Sequence, residues 1–304
     1  METPLLNQKE KIQAHAALFA VALFYGLNYI IAKDVLDKEY MTPSGFIMLR
    51  VVAASIIFYI IHALFVKEKM EASDIKYALL CSVFGAMVNM LCFFEGLKNT
   101  SPIHASLIML LTPIIVLLIS AIMIKEKITP RKLIGIIIGL VGALLIVSGS
   151  GSESDELASV YGDTMIMINA ISYGIYLVLV RRLTKKYHPI TVIKWIFLFG
   201  TLLIIPFGAK DLYQTDFSSF SNDIWYAVAY VLIFSTSATY LLNAYALQKV
   251  LPSTVGFYIY FQPLIASVAS IIVFNEIIDL PKIASALLIF FGVYMVTKPE
   301  KAKF

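Results

Sequence analysis

Charge is what this chain has least of. Only 14% of its residues are Asp, Glu, Lys or Arg, 60% are hydrophobic, and the mean hydropathy is +0.84. A soluble domain carries about a quarter charged residues. A soluble all-helical core would also need polar outer faces on most helices, and segments such as 103–124 have none. Cysteine is nearly absent too. Cys81 and Cys92 fall in one expected helix, about 16 Å apart at 1.5 Å rise per residue, too far to pair. No redox or metal role follows. His15 and His62 have no partner visible in the sequence, and His104 lies near the end of an apolar run. No cluster of acids, His or Cys gathers in the loops, as a metal-dependent membrane enzyme acting on a lipid would need. Neither a Gly-rich filter nor a ring of like charge marks a channel.

What the chain does have is long apolar runs, and they repeat. Pro102, Pro113, Glu126 and Gly142 recur as Pro252, Pro263, Glu276 and Gly292, each 150 residues later, so the chain holds two copies of one unit. Each copy of this stretch places two apolar segments around a short polar bend, at 125–131 and 275–282. A proline halfway along the first segment removes a backbone donor and kinks the helix. Tyr25-Gly26-Leu27 matches Tyr173-Gly174-Ile175, Lys33 stands opposite Arg181, and Pro43 answers Pro189.

A span needs about 20 mostly apolar residues, and ten are expected: 13–32, 43–65, 75–97, 102–124, 131–148, 162–180, 189–208, 224–247, 252–273 and 281–297. The first continues into FYGLNYIIAKDV without a small-x-small cleavage site and reads as a retained span. With the N-terminus inside, the inner segments hold 17 of the 24 Lys and Arg and the outer ones 5. That bias places both termini in the cytoplasm. It also accounts for the net charge of +4 without nucleic acid. Each half has five spans, an odd number, so the second copy enters the membrane from the opposite side. The expected fold is an all-α integral membrane protein of ten transmembrane helices in two inverted five-helix repeats, 1–148 and 162–304. The acidic segment 149–161 links them outside the membrane. Secondary transporters recurrently follow this plan, with the substrate near the midplane between the repeats. The outer loop 210–223 is polar and expected to be ordered only in part.

Ten spans in two inverted halves, Tyr25-Gly26 with Asn28 near the end of span 1, and Pro-x12-Glu in spans 4 and 9 resemble the EamA-like family of the drug/metabolite transporter superfamily. The likeness covers essentially the whole chain. Its most specific part is Glu126 and Glu276, each followed by a Pro-led final hairpin helix; the family's usual Trp before Gly in span 1 is Tyr25 here. The resemblance implies a carrier of the bacterial inner membrane, often an exporter of amino acids and related metabolites. Relatives also move nucleotide sugars and sugar phosphates.

Buried polar groups are costly in a bilayer and tend to face a cavity or a partner. Asn169, Tyr173 and Tyr176 share one face of span 6; Tyr25, Asn28 and Tyr29 do so in span 1. Span 8 presents Thr236, Tyr240 and Asn243, span 9 presents Tyr258 and Gln262, and Asn89 lies near the middle of span 3. Together they predict a polar, aromatic-lined cavity for a small zwitterion or a ring-bearing solute. The alternative is helix–helix hydrogen bonding, at about 0.6 kcal/mol each. Arg50 has the forked donors for a substrate carboxylate or phosphate; otherwise it reaches the interface or pairs with Glu95. Glu95, well inside span 3, is the candidate for proton coupling, or else a partner of Arg50 or Lys98. Pro113 and Pro263 are expected hinges. Glu126 and Glu276 either brace a gate or cap the next helix and pair with lysine. Gly135, Gly139 and Gly142, with Ala284, Ser285 and Gly292, form small-residue surfaces for close helix packing or a homodimer face. No cofactor or metal is expected; the partners are the solute and the bilayer.

Overall fold

A computed structural model describes residues 8–37, 40–100, 105, 108–149, 160–274 and 280–297. Among these the fold is all-helical, without strands. A helix satisfies its own backbone hydrogen bonds, which a bilayer interior demands of any spanning segment. The helices are α1 Gln8–Asp37, α2 Pro43–Val66, α3 Ala72–Asn99, α4 Thr112–Ile124, α5 Pro130–Gly149, α6 Val160–Thr184, α7 Pro189–Gln214, α8 Asn222–Lys249, α9 252–274 and α10 Leu280–Thr297. Five of them, α2, α3, α6, α7 and α8, are long and apolar enough to cross a membrane, and α4 and Ile283–Thr297 in α10 are shorter apolar helices. Local chemistry sets their ends. Thr42 caps α2 by accepting the Gly45 N–H at 3.2 Å, with Pro43 in the first turn, where its missing donor costs nothing. Lys125 closes α4 in the left-handed region at φ 54°.

The contacts between helices follow a two-fold plan. α5 lies along its own copy α10, and α2 along its copy α7. The α3–α6 contact is answered by α8–α1, and α4–α6 by α9–α1. The correspondence reaches single atoms. A Cβ on Gly26 would stand 2.7 Å from Ile265 Cγ2, and one on Gly174 would stand 3.4 Å from Ile115 Cγ2; Ile115 and Ile265 are themselves 150 residues apart.

The glycine face of α5 is used inside the chain. Cβ atoms at Gly135 and Gly142 would lie 3.0 Å from the Gly292 carbonyl oxygen and 2.9 Å from that of Ser285. The two backbones therefore touch, and this face packs helices within the chain.

The prolines do more than kink. The chain turns at Leu110–Leu111 and restarts as α4 at Thr112, with Pro113 next; α9 narrows into a 3₁₀ turn at Tyr258–Tyr260 and restarts at Phe261, two residues before Pro263. Two interruptions not legible in the sequence match them. α3 carries a π-helical turn at Val83–Met87 and α8 one at Val231–Ala238.

The loop 210–223 corrects its expectation. α7 runs on to Gln214, Asp216 caps a 3₁₀ turn at Phe217–Ser219, and Phe220 joins a buried cluster with Val35, Met41, Phe46, Ile224 and Val228. Aromatic rings anchor it where polarity alone suggested a loose loop. Most of the linker, Glu276 and His104 lie outside the described residues.

Candidate functional site

The centre of the bundle is where α1, α3, α6, α8 and α9 meet. Tyr25, Tyr173, Asn243, Tyr258 and Gln262 line one narrow cavity, walled by Leu18, Val21, Ala22, Val255 and Ile259. These five polar residues come from four helices and were expected together; the structure brings them together. The walls close to about 10 Å³, room for roughly one water. Asn243 donates to the Tyr173 hydroxyl at 3.5 Å, and Tyr25 shares a hydrogen bond with Thr239. His15, silent in the sequence, has a partner here: its Nδ1 lies 3.0 Å from the Tyr258 hydroxyl, with the rings stacked.

Arg50, on α2, is 7% exposed. Its Nε donates to Thr236 Oγ1 at 2.9 Å, and its guanidinium lies 5.7 Å from the centre of the Phe94 ring. Tyr25 and Tyr240 are its electrostatic neighbours. Within the π turn of α8, Thr236 Oγ1 donates to the Val231 carbonyl at 2.8 Å while it accepts from Arg50. Among the described residues no carboxylate reaches Arg50. Glu95, its expected partner, is exposed and accepts from Asn99 Nδ2 at 3.1 Å. That position removes the burial on which the proton-coupling expectation rested. A single-residue helix phase error explains the miss: Phe94, not Glu95, faces inward.

The remaining members divide. Tyr176 packs in an aromatic layer against Gly85, Tyr173 and Tyr240, and the Tyr240 hydroxyl donates to the Gly85 carbonyl at 2.6 Å. Asn169 Nδ2 donates to the Asn89 carbonyl at 2.7 Å, so that pair does join helices, through Asn89's backbone. Yet Asn28 Oδ1, Asn169 Oδ1 and Asn243 Oδ1 are all buried without a hydrogen-bond partner. Of the three, Asn243 lines the central cavity; each is unusual, since buried polar atoms are nearly always paired.

At the end of the bundle that carries the 125–131 bend, called here the basic end, Lys125 folds the chain back so that Glu126 is buried. Glu126 takes Lys132 Nζ at 2.9 Å and a short hydrogen bond from Ser253 Oγ, at the start of α9. Of the expectations for Glu126 the lysine pair is present, while at the start of the next helix Thr129 Oγ1, not Glu126, accepts the Lys132 N–H at 3.4 Å; the Ser253 bond ties one half to the other.

A multi-pass bundle of two five-helix copies, with its polar groups gathered between the copies, is the architecture of a membrane carrier. The EamA-like transporter family matches residues 13–148 and again 160–298, and the chain belongs to that family. It is a membrane transporter of the drug/metabolite superfamily. An uncharacterized transporter of Archaeoglobus fulgidus is 27% identical over 90% of this chain and 95% of its own length. The uncharacterized transporter YyaM of Bacillus subtilis is 24% identical over 93% and 92%. A WAT1-related protein of Arabidopsis thaliana is 23% identical over 94% of this chain and 86% of that one. A solved crystal structure superposes with a TM-score of 0.74 at 15% identity, covering 94% of this chain and 97% of the other, which supports the fold alone.

Proposed function

We propose that the protein is a secondary carrier, not an enzyme, that exports a small metabolite bearing a carboxylate, with amino acids and their relatives first. It works across the bacterial inner membrane by alternating access. The observation that carries this reading is Arg50, a buried guanidinium with no carboxylate partner among the described residues. A buried charge left unpaired is expensive, and a substrate carboxylate would supply the missing ion through a bidentate pair. The orphan oxygens of Asn28, Asn169 and Asn243 complement it, because a substrate ammonium donates what they lack. The tyrosine walls suit an apolar or ring-bearing side chain.

The basic end lies in the cytoplasm on this reading, following the Lys and Arg bias, and the two copies are inverted in the membrane. Their present closeness around the cavity corresponds to an occluded state. Pro113 and Pro263, each just past a break, are the points about which α4 and α9 bend to open either side. Sugar phosphates are the second reading. No lysine or second arginine acts on Arg50 among the described residues, and one positive charge matches a carboxylate better than a dianionic phosphate.

Metabolite efflux tests the reading: the medium of cells with and without the overexpressed protein is compared across amino acids, nucleosides and sugar phosphates. Accumulation of one carboxylate-bearing solute, lost in Arg50→Lys and in Asn169→Ala, is the expected result. Export of a solute without a carboxylate, or full transport by Arg50→Lys, sinks it.

A further inference from the structure

A second cleft, away from the centre, opens at the basic end. It is about 270 Å³ and is lined by Tyr77 of α3, Met123 and Ile124 of α4, and Val178, Leu179, Arg181, Arg182 and Lys185 of α6 and the turn after it. Over their described lengths α3 and α4 both lie against α6 rather than against each other. α6 is thus the floor of a groove between two walls. The groove has two chemistries in sequence along its length. Met123 and Ile124 present exposed apolar surface at the level where a membrane helix ends. Three cations lie within the next helix turn.

Those cations are short of counter-ions. Arg181 Nε is fully covered and has no hydrogen-bond partner; Glu126 acts on it through space only, with its Oε1 held by Lys132 and Ser253 and its Oε2 buried without a partner. Arg182 stacks over Tyr77 at 4.6 Å and reaches Asp74 only at 3.5 Å, and Asp74 is already held by Lys186 and Tyr187. Lys185 stands four residues from Arg181, one turn on, exposed at the rim, and the neighbouring Arg181 charge acts on it. Two acids, Glu126 and Asp74, act on Arg181 and Arg182 and both are shared with lysines outside the cleft, so among the described residues positive charge is in excess here.

We propose that this cleft binds the headgroup of an anionic phospholipid from the leaflet at the basic end. The phosphate would sit on Arg181 and Lys185, with Arg182 at the rim, and the acyl chains would run along Met123 and Ile124. Basic pockets between membrane helices at this level suit such headgroups. Arginine supplies the fork that matches two phosphate oxygens. The apolar wall selects a lipid over a free anion, because a soluble phosphate gains nothing from it.

The test uses the full-length protein in a neutral detergent, with thermal midpoints measured after adding phosphatidylglycerol, phosphatidylcholine or inorganic phosphate, and bound lipid counted by native mass spectrometry. Phosphatidylglycerol should raise the midpoint and remain bound, while the other two do neither. Apparent affinity should fall about fivefold for each cation removed in Arg181→Gln and Lys185→Gln, and Lys67→Gln/Lys69→Gln, elsewhere on the same end, should leave it unchanged. Lys185 is exposed, so Lys185→Gln alone remains informative should Arg181 variants not fold. Equal binding of phosphatidylglycerol by wild type and Lys185→Gln overturns the proposal. So does equal stabilisation by inorganic phosphate, which would mark a soluble-anion site, or equal retention of phosphatidylcholine.

Discussion

Two of the seams that join the halves of this protein are finished in opposite ways. Along α5 and α10, glycine meets glycine and backbone touches backbone: a Cβ on Gly292 would lie 2.7 Å from the Gly135 oxygen and 3.0 Å from the Gly139 nitrogen. Around α1, α3, α6 and α8, by contrast, lie an unpaired arginine and three amide oxygens with nothing to accept. A seam that must stay shut is packed to contact, since close van der Waals packing is what joins helices in lipid. A seam that must receive a solute keeps polar groups for it and accepts the cost of leaving them unpaired.

The largest expected effect comes from forcing the first seam apart. In Gly292→Leu the added side chain has no space short of moving α5, at a cost of roughly 3 kcal/mol or more. We expect little folded protein on size-exclusion chromatography and no transport. Recovery of a monodisperse, active Gly292→Leu would show that α5 and α10 are not a fixed scaffold.

The second seam predicts the opposite dissociation. Arg50→Leu removes a buried charge that no acid of the described chain neutralises. Replacing such a charge with an apolar side chain is neutral or stabilising, so its thermal midpoint should equal or exceed that of the wild type while transport falls to background. A midpoint lowered as far as that of a glycine variant would mean Arg50 is structural. Asn28→Ala sharpens the same contrast on a smaller scale. Its Oδ1 has no partner to lose, so stability should be unchanged. Loss of a hydrogen bond to a charged group should weaken substrate affinity roughly 10-fold or more. Unaltered half-saturation for the exported solute would take Asn28 out of the site.

How far the sequence carried differs between the two seams. The scaffold was legible almost whole, because its signals are redundant: a 150-residue offset, span lengths, and glycines one turn apart. Most of the central cavity was legible too, since helical spacing alone puts Tyr25, Tyr173, Asn243, Tyr258 and Gln262 on inward faces. The failures share one cause. Helical phase is set by tertiary packing and by interruptions in the helix, and neither has a local signature. The π turns at Val83–Met87 and Val231–Ala238 change the facing of the residues beyond them. Glu95 turned out while Phe94 turned in. His15 found Tyr258 across 243 residues of chain. The ordered 210–223 loop was hidden in the same way, because its polar composition says nothing of three aromatic rings meeting, Phe217 with Phe220 and Trp225.

The smallest effect tests a tie that belongs to neither seam. Asp74 of α3 holds Lys186 at 2.7 Å and the Tyr187 hydroxyl at 2.9 Å, and Lys186 also meets Glu71 at 2.8 Å. Four groups, Glu71 and Asp74 at the start of α3 and Lys186 and Tyr187 in the turn after α6, are thus pinned at the basic end, where solvent at the half-exposed Lys186 screens its pairs and each contributes little. These acceptors raise the Lys186 ammonium above its ordinary value, Asp74 first and Glu71 next. A group raised on folding contributes its full stability below its unfolded value, about 10.4 for lysine, and loses it only as pH climbs through the folded one. Lys186→Gln should therefore lower the thermal midpoint slightly, and by the same amount at pH 6 and pH 9. A difference between wild type and Lys186→Gln that shrinks between those two values would show that another group, titrating in that range, holds the α3 start in place.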